Sequence, residues 1–237
     1  MATSKVRDSA FVLHSTPYRE TSLVVDLLTR DHGRVGVVAK GAKRPGSALR
    51  AVLLQFQPVS VVWSGQGELR TLNSAEWLGG LHPPRGDALL CAFYTNELLL
   101  RMLPGEDAHP ALFDAYAATL AALSEGAPLE ETLRTFEWQL LRETGHAPEL
   151  DSDASGHPIA PGRRYAWQPG SGFIAAEPGG EAAVGGRTLL DLAEGRLSSA
   201  ESRAEAKYLA RAILSHQLEG YPLRTRQVLI DLHKLSP

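Results

Sequence analysis

Five short apolar runs, each about as long as a β-strand, occupy residues 9–78 and constrain the fold more than any other feature. Turn-forming residues separate them: Thr16-Pro17-Tyr18 after the first run, Asp31-His32-Gly33 after the second, and Gly65-Gln66-Gly67 before the last. The longest irregular connection lies between the third run and the fourth. The predicted strands cover residues 9–15, 21–29, 34–40, 57–63 and 68–73.

Five strands with one long connection fit a small closed barrel of the OB type, whereas a seven-stranded sandwich would need more chain. We therefore predict an α+β protein that begins with a five-stranded OB-fold barrel at residues 1–80. From Gly86 to Thr144 the apolar residues recur every three to four positions, which predicts three helices separated at Pro104-Gly105 and at Gly126. Cys91, the single cysteine, lies in this apolar pattern and is interpreted as a core residue.

The segment 145–186 is rich in glycine and proline and is predicted to be irregular, with one hairpin near Tyr165–Ile174. Helical patterns return at about 187–194, 200–218 and 224–235. A helical domain is thus predicted to comprise residues 81–144 and 187–237, interrupted by the irregular segment.

Charge is unevenly distributed along the chain. Residues 1–80 have a net charge of +4 and residues 81–150 a net charge of -7, although the whole chain is at -3. Six lysines or arginines lie between Arg30 and Arg50, against the single acid Asp31. This asymmetry favours a polyanionic partner for the first part and a protein partner for the second.

No catalytic motif stands out. Nucleotide-binding loops, nucleophile elbows and paired histidines at metal-ligand spacing are missing from the sequence, so an enzyme is not expected and a hydrolase is the remaining enzymatic alternative. The N-terminus has no apolar signal region and no window is long and apolar enough to span a membrane, so we expect a soluble cytoplasmic protein without membrane contact.

The third predicted strand places its charged residues on one face. Side chains alternate along a strand, so Arg34, Gly36 and Lys40 share the face opposite Val35 and Val37. Three further cations, Lys43, Arg44 and Arg50, extend this positive track into the following loop. Cationic grooves on OB barrels hold single-stranded nucleic acid, often with aromatic stacking, for which Tyr18, Phe56 and Trp63 are the local candidates.

The sequence resembles the bacterial recombination mediator family RecO over almost its whole length. The resemblance is carried, in the family's order, by Ala10-Phe-Val-Leu-His-Ser-x-Pro-Tyr-x-Glu-Thr-Ser-Leu23, Gly33-Arg-Val-x-Val-Val-Ala-Lys-Gly-Ala42, Leu72-x-Ser-Ala-Glu76, Tyr94-x-Asn-Glu-Leu-Leu99 and Leu133-Arg-x-Phe-Glu137, with weaker support from Gly172-Phe-Ile-Ala175 and Pro222-Leu-x-x-Arg226.

The resemblance implies a DNA repair and recombination protein of the RecF pathway. Members bind single- and double-stranded DNA, anneal complementary strands and, with RecR, help to load RecA onto DNA coated by single-strand-binding protein. They also bind the acidic, phenylalanine-ended tail of that protein through the helical domain.

Individual residues match functional positions of the family. Arg34 and Lys40 correspond to DNA-contacting strand positions, whereas Gly36 stands where relatives often have a further basic residue. Arg134 corresponds to a basic position of the tail-binding site, and Phe136 and Tyr116 are candidates for its apolar wall or, alternatively, for the helical core.

The segment 145–186 occupies the place of the zinc finger found in many members but contains no cysteine, so neither metal nor cofactor is expected. Two alternatives to a DNA-binding mediator stay open: an adaptor whose main partner is a protein, and an OB protein that binds RNA.

Overall fold

The computed structural model describes residues 4–176, 183–197, 199–225 and 227–228. By packing, the chain forms two compact units, the first made of residues 1–132 with 223–237 and the second of residues 133–222. The boundary predicted from the sequence at residue 80 does not coincide with a boundary between these units. Helices after residue 80 belong to the same unit as the strands before it. That three-part division stays a prediction.

The first unit contains a closed five-stranded barrel, which confirms the predicted OB architecture. Its strand order is β1-β2-β3-β5-β4, with β3 parallel to β5 and the other pairs antiparallel. The strands are β1 (Lys5–Tyr18), β2 (Ser22–Thr29), β3 (Gly33–Ala39), β4 (Pro58–Ser64) and β5 (Leu69–Trp77).

The barrel interior is filled by inward side chains that alternate along each strand. In β3 the residues Val35, Val37 and Ala39 are buried while their neighbours are partly exposed, which confirms the predicted strand parity. Two of the three aromatic candidates, Phe56 and Trp63, are buried. Tyr18 is therefore the one that retains partial exposure.

Two features of the barrel differ from the sequence prediction. Thr16-Pro17-Tyr18 was predicted to be a turn, but β1 continues to Tyr18. Proline is tolerated there because β1 pairs with β4 only as far as Phe11, so the outer part of β1 is an edge bonded to β2 alone. The connection after β3, predicted to be irregular, contains the short helix α1 (Ala48–Val52).

The first unit also contains the helices α2 (Asp87–Met102) and α3 (Pro110–Glu125), close to their predicted bounds. Proline at the first turn of α3 and Gly126 in a left-handed conformation after its end define that helix. Cys91 is buried in α2, as predicted, and burial raises the pKa of its thiol, which keeps it protonated.

The second unit contains most of α4 (Leu129–Glu143), a small sheet and two further helices, α5 (Gly186–Ala193) and α6 (Ala200–Gln217). The sheet has the order β7-β6-β8, from β6 (Arg164–Gln168), β7 (Gly172–Ala175) and β8 (Ala183–Gly185). The predicted hairpin is thus present, and a third strand that the sequence did not indicate joins it. The helix predicted at 224–235 falls largely outside the described residues.

Candidate nucleic-acid interface

A cleft of about 650 Å³ opens on the barrel where β1 ends, β2 and β5 begin and β3 ends. Its walls are formed by Tyr18, Arg19, Glu20, Thr21, Ser22, Val38, Lys40, Gly41, Arg44, Leu69, Arg70 and Thr71. Four of these residues are cationic and one, Glu20, is acidic. The cleft therefore has the positive charge that attracts a phosphate backbone.

The loop after β3 is held to the barrel by its backbone, which fixes its basic side chains. The N–H of Lys43 donates to the Thr21 carbonyl at 2.9 Å, and Ala42 is buried in the barrel core. Gly41 has a φ of 70°, and the Arg44 side chain lies over it, since a Cβ on Gly41 would be 3.6 Å from Arg44 Cδ. This turn directs Arg44 into the cleft instead of away from it.

The structure brings together some of the predicted DNA-binding residues. Lys40 and Arg44 line the cleft, whereas Lys43 and Arg50 are exposed but are not among its lining residues. Arg34 lies on the predicted outward face of β3, but its Nη1 donates to the Leu100 carbonyl in α2 at 2.9 Å. The guanidinium of Arg34 thus already holds a helix end, and its contact with DNA stays a prediction.

Gly36 has a structural reason to be glycine. It pairs with Leu69 where β3 meets β5 in parallel, and a Cβ there would lie 3.0 Å from the Glu68 carbonyl oxygen and 3.3 Å from Leu69 Cδ2. A side chain at this position would require the Glu68 backbone or the Leu69 side chain to move by a few tenths of an ångström. The missing cation at position 36 is therefore linked to how this barrel closes.

Two cationic residues of the cleft were missed by sequence reasoning, Arg19 and Arg70. Arg19 follows β1 with a φ of 52°, and its guanidinium carbon lies 5.2 Å from the centre of the Tyr18 ring. Arg70 is in β5, far from the basic stretch in sequence. Strand alternation in β5 could have predicted which face Arg70 lies on. Its place beside the basic loop, however, follows from the parallel pairing of Val37 with Arg70, which only the tertiary fold decides.

The residues predicted to bind a partner's tail lie in two different units. Arg134 and Phe136 belong to α4 in the second unit, and both are buried. Arg134 is 8% exposed and forms an ion pair with Glu137 through Nη2, while its Nε and Nη1 have no hydrogen-bond partner among the described residues. Both unused donors are themselves buried, so a partner's carboxylate would reach them only after the surrounding side chains moved aside, and the role of Arg134 in a tail site stays a prediction.

Tyr116 is placed differently. It belongs to the first unit, is 0% exposed, and its hydroxyl donates to Asn96 Oδ1. In this conformation Tyr116 offers no surface to a peptide, and its position fits the core alternative. Its role in a tail site stays a prediction.

The segment in the place of the zinc finger is held by polar and apolar contacts. Among the residues with described coordinates there is no group of three or more histidine, cysteine or acidic side chains that could hold a metal ion. The Glu205 carboxylate instead accepts hydrogen bonds from the Gly185 N–H at 2.8 Å and from the Thr188 hydroxyl, and pairs with Arg164 at 2.8 Å. Phe173 and Tyr165 form the buried side of the sheet.

Burial alone would raise the pKa of Glu205, but the hydrogen bonds from Thr188 and Gly185, together with Arg164, outweigh it. The pKa of Glu205 therefore lies below its ordinary value, and the carboxylate stays ionised at neutral pH. None of the helices with described coordinates is long and apolar enough to cross a membrane.

Comparison with known proteins agrees with this architecture. The family model for the recombination protein O N-terminal region matches residues 1–81, and that for the recombination protein O C-terminal region matches residues 84–227. The chain is 53% identical over 232 residues to the DNA repair protein RecO of Cupriavidus metallidurans, covering 96% of this chain and 78% of that protein.

Two further relatives show the same extent of similarity. The DNA repair protein RecO of Ralstonia nicotianae is 51% identical, with 95% of this chain and 84% of that protein covered. That of Aromatoleum aromaticum is 49% identical, with 95% of each chain covered. With a closed OB-type barrel, both family regions in order and relatives similar over nearly the full length, the chain belongs to the RecO family.

Proposed function

We propose that this protein is a DNA-binding recombination mediator in DNA repair, and that it acts in the cytoplasm by binding instead of catalysis. The observation that carries the proposal is the cationic cleft on the barrel, which gathers Arg19, Lys40, Arg44 and Arg70 around the partly exposed ring of Tyr18. Cations that neutralise phosphates and an aromatic ring on which a base can stack are what a single strand requires.

The test is the salt dependence of single-stranded DNA binding by a variant with both Lys40→Glu and Arg44→Glu. Each lost phosphate contact should reduce the slope of log affinity against log salt by about 0.7. The matched control is Lys5→Glu with Arg7→Glu, because these exposed cations lie on the same barrel at the start of β1 and are not among the residues that line the cleft. Equal losses in both variants would show a general charge effect and would defeat the assignment of the cleft.

We further propose that the protein anneals complementary strands and, together with RecR, helps to load RecA onto DNA coated by single-strand-binding protein. This finer function is supported by membership of the family and by the cationic residues that line the cleft. Strand annealing should occur with wild type, with and without single-strand-binding protein, and should fail with the Lys40/Arg44 variant.

The acidic, phenylalanine-ended tail of single-strand-binding protein is the partner that we propose for Arg134. Support comes from the family position that Arg134 occupies and from its two unused donors, which a carboxylate reaches once the side chains that cover them move aside. A synthetic tail peptide should bind more tightly with a free C-terminal carboxylate than with a carboxamide. The variant Arg134→Gln with Glu137→Gln, which removes both charges of the buried pair together, should bind the two peptides equally weakly.

Competition separates this function from the two alternatives. If the protein were mainly an adaptor for a protein partner, it would bind the tail peptide, and the Lys40/Arg44 variant would anneal strands as well as wild type does. An RNA-binding protein would prefer a single-stranded RNA over the DNA of the same sequence, since the 2′-hydroxyl is the group that distinguishes them. We expect DNA to compete at least as well as RNA.

A further inference from the structure

One of the four cations in the cleft is already paired with an acid. Arg70 is 15% exposed, and its Nη2 lies 2.7 Å from Oε2 of Glu106, whose side chain is 54% exposed. Glu106 belongs to the connection between α2 and α3, which is distant in sequence from β5. The structure therefore brings an acid from the connection between α2 and α3 to Arg70, a cation of the cleft wall, although Glu106 itself is not among the lining residues.

The position of Glu106 is fixed by its backbone. Its N–H donates to the Arg34 carbonyl in β3 at 3.0 Å, and the preceding Gly105 forms a parallel bridge with Arg34. On its other side the Asp107 backbone lies against Gly33, so closely that a Cβ on Gly33 would be 2.0 Å from the Asp107 oxygen. The connection thus lies against β3, which places the Glu106 carboxylate, although more than half exposed, within ion-pair distance of Arg70.

Glu106 also has an unfavourable backbone conformation. Its φ is 63°, in the left-handed region that non-glycine residues seldom occupy. Such conformations persist where surrounding contacts impose them, and they are frequent at functional positions. The contacts with β3 impose the left-handed conformation of Glu106, and in that conformation its side chain forms the ion pair with Arg70.

From this arrangement we propose that Glu106 sets the DNA affinity of the cleft, by occupying the Arg70 guanidinium that a phosphate would otherwise bind. The inference rests on the proposed DNA-binding function and adds one DNA-contacting residue, Arg70, and one residue that competes with DNA for it. A carboxylate and a phosphate present similar pairs of oxygens to a guanidinium, so the two exclude each other. The protein thereby binds a strand less tightly than its cations would allow, which suits a protein that must release DNA to a partner.

The central experiment compares single-stranded DNA binding by wild type and Glu106→Gln. Removing the carboxylate should raise affinity about 1.5- to 5-fold at low salt, the range of an exposed ion pair. It should also steepen the salt dependence by about 0.7, because one more phosphate is neutralised. Glu106→Asn is the second variant, because asparagine tolerates a left-handed backbone and preserves folding if glutamine does not.

The matched control is Asp107→Asn. It removes one negative charge from the next position of the same connection, where the side chain is 61% exposed and pairs with His109 rather than with a cation of the cleft. A general electrostatic effect would raise affinity equally in the Glu106 and Asp107 variants. Equal gains would overturn the proposal.

A double-mutant comparison tests whether Arg70 is the residue that is released. Arg70→Gln should abolish the gain of Glu106→Gln, and it should weaken binding more in the Glu106→Gln background than in wild type. A gain that persists without Arg70 would also overturn the proposal. If the Lys40/Arg44 variant loses affinity for single-stranded DNA but the Glu106 variants gain none, the role of Glu106 is refuted and the proposed function of the cleft stands. If the Lys40/Arg44 variant binds this DNA like wild type, the proposed function of the cleft is refuted too.

Discussion

The side-chain amide of Asn96 in α2 donates a hydrogen bond of 2.9 Å to the backbone carbonyl of Leu13 in β1. The register of β1 against β2 shifts between Val12 and His14, so the Leu13 carbonyl points out of the ladder. Gln55 donates to the same carbonyl, and the Tyr116 hydroxyl donates to Asn96 Oδ1. A buried polar network thus connects the barrel with α2 and α3 inside the first unit.

Removal of one donor from this network should destabilise the first unit. Tyr116→Phe leaves a buried amide oxygen without its donor, which should reduce the free energy of unfolding by about 1–3 kcal/mol. Burial raises the pKa of Tyr116, so its hydroxyl stays protonated and donating over the accessible pH range. Urea denaturation measures the loss. Tyr208→Phe, at a half-exposed tyrosine, is the control and should change stability by less than about 0.5 kcal/mol.

Gly33→Ala should lower the free energy of unfolding by more than the left-handed backbone conformation alone would cost. Gly33 has a φ of 67°, and an added Cβ would meet the Asp107 backbone, which cannot rotate away as a side chain could. Gly46→Ala is the matched control, since Gly46 has a φ of 75° with nothing within 4 Å of the added Cβ. We expect a loss of about 1–2 kcal/mol for Gly46→Ala from conformation only, and a clearly larger loss for Gly33→Ala in urea denaturation.

Equal losses in the two glycine variants would show that the connection between α2 and α3 moves aside freely. That outcome would contradict the close packing of this connection against β3. It would also weaken the case that Glu106 is held at Arg70.

Glu97 should make stability depend on pH in the acid range. Burial would raise the pKa of Glu97, but hydrogen bonds from Thr225 and from the Arg224 N–H, with the nearby charge of Arg101, outweigh it and hold the pKa below its ordinary value of 4.5. A group with a lowered folded-state pKa stabilises the fold above its unfolded pKa, and this stabilisation is lost as pH falls through the folded value. The contribution should therefore be complete at neutral pH and fall below about pH 4.5.

The measurement is the denaturation midpoint between pH 7 and pH 3 for wild type and Glu97→Gln. The variant should be less stable at pH 7 and should lose less of its stability on acidification. Glu76→Gln, at an exposed carboxyl in β5, serves as the control. Parallel pH profiles for wild type and Glu97→Gln would refute the assignment.

Glu205 should stabilise the small sheet in the place of the zinc finger. Glu205→Leu removes the acceptor for the Gly185 N–H and the Thr188 hydroxyl, so stability should fall by about 2–4 kcal/mol, and amide exchange in β6 and β8 should accelerate. Glu201→Leu, at an exposed position one turn earlier in α6, should leave exchange in these strands unchanged. A metal chelator should not alter the melting temperature of wild type; a chelator-induced decrease would contradict a metal-free segment.

Local patterns predicted most of the elements in this protein. Alternation in β3 and spacing in α2 and α3 give the correct faces because a side chain's direction depends on the backbone period alone. Composition predicted that residues 145–186 are irregular with one hairpin; the hairpin of β6 and β7 is present, whereas the strand β8 was not predicted. The errors lie where the effect of a local signal depends on distant parts of the chain. Pro17 signals a turn, yet β1 accepts it because none of the described strands pairs with its other side.

The candidate cleft was predicted only in part for the same reason. Lys40 and Arg44 were identified because they follow β3 in one basic stretch, whereas Arg70 joins them through the parallel pairing of β3 with β5. Arg34 has the predicted orientation on its strand, but its partner, the carbonyl of Leu100, is separated from it by most of the barrel and a helix in sequence.

By itself, then, the sequence determined the barrel, the helices and a positive loop after β3, since periodicity and charge are properties of neighbouring residues. Only the tertiary structure decided which cations meet in one cleft, that Gly36 lies in a tight contact with Glu68 and Leu69, and that Glu106 reaches Arg70. Those relationships depend on long-range pairing and on contacts within a few ångströms, which residue order does not specify.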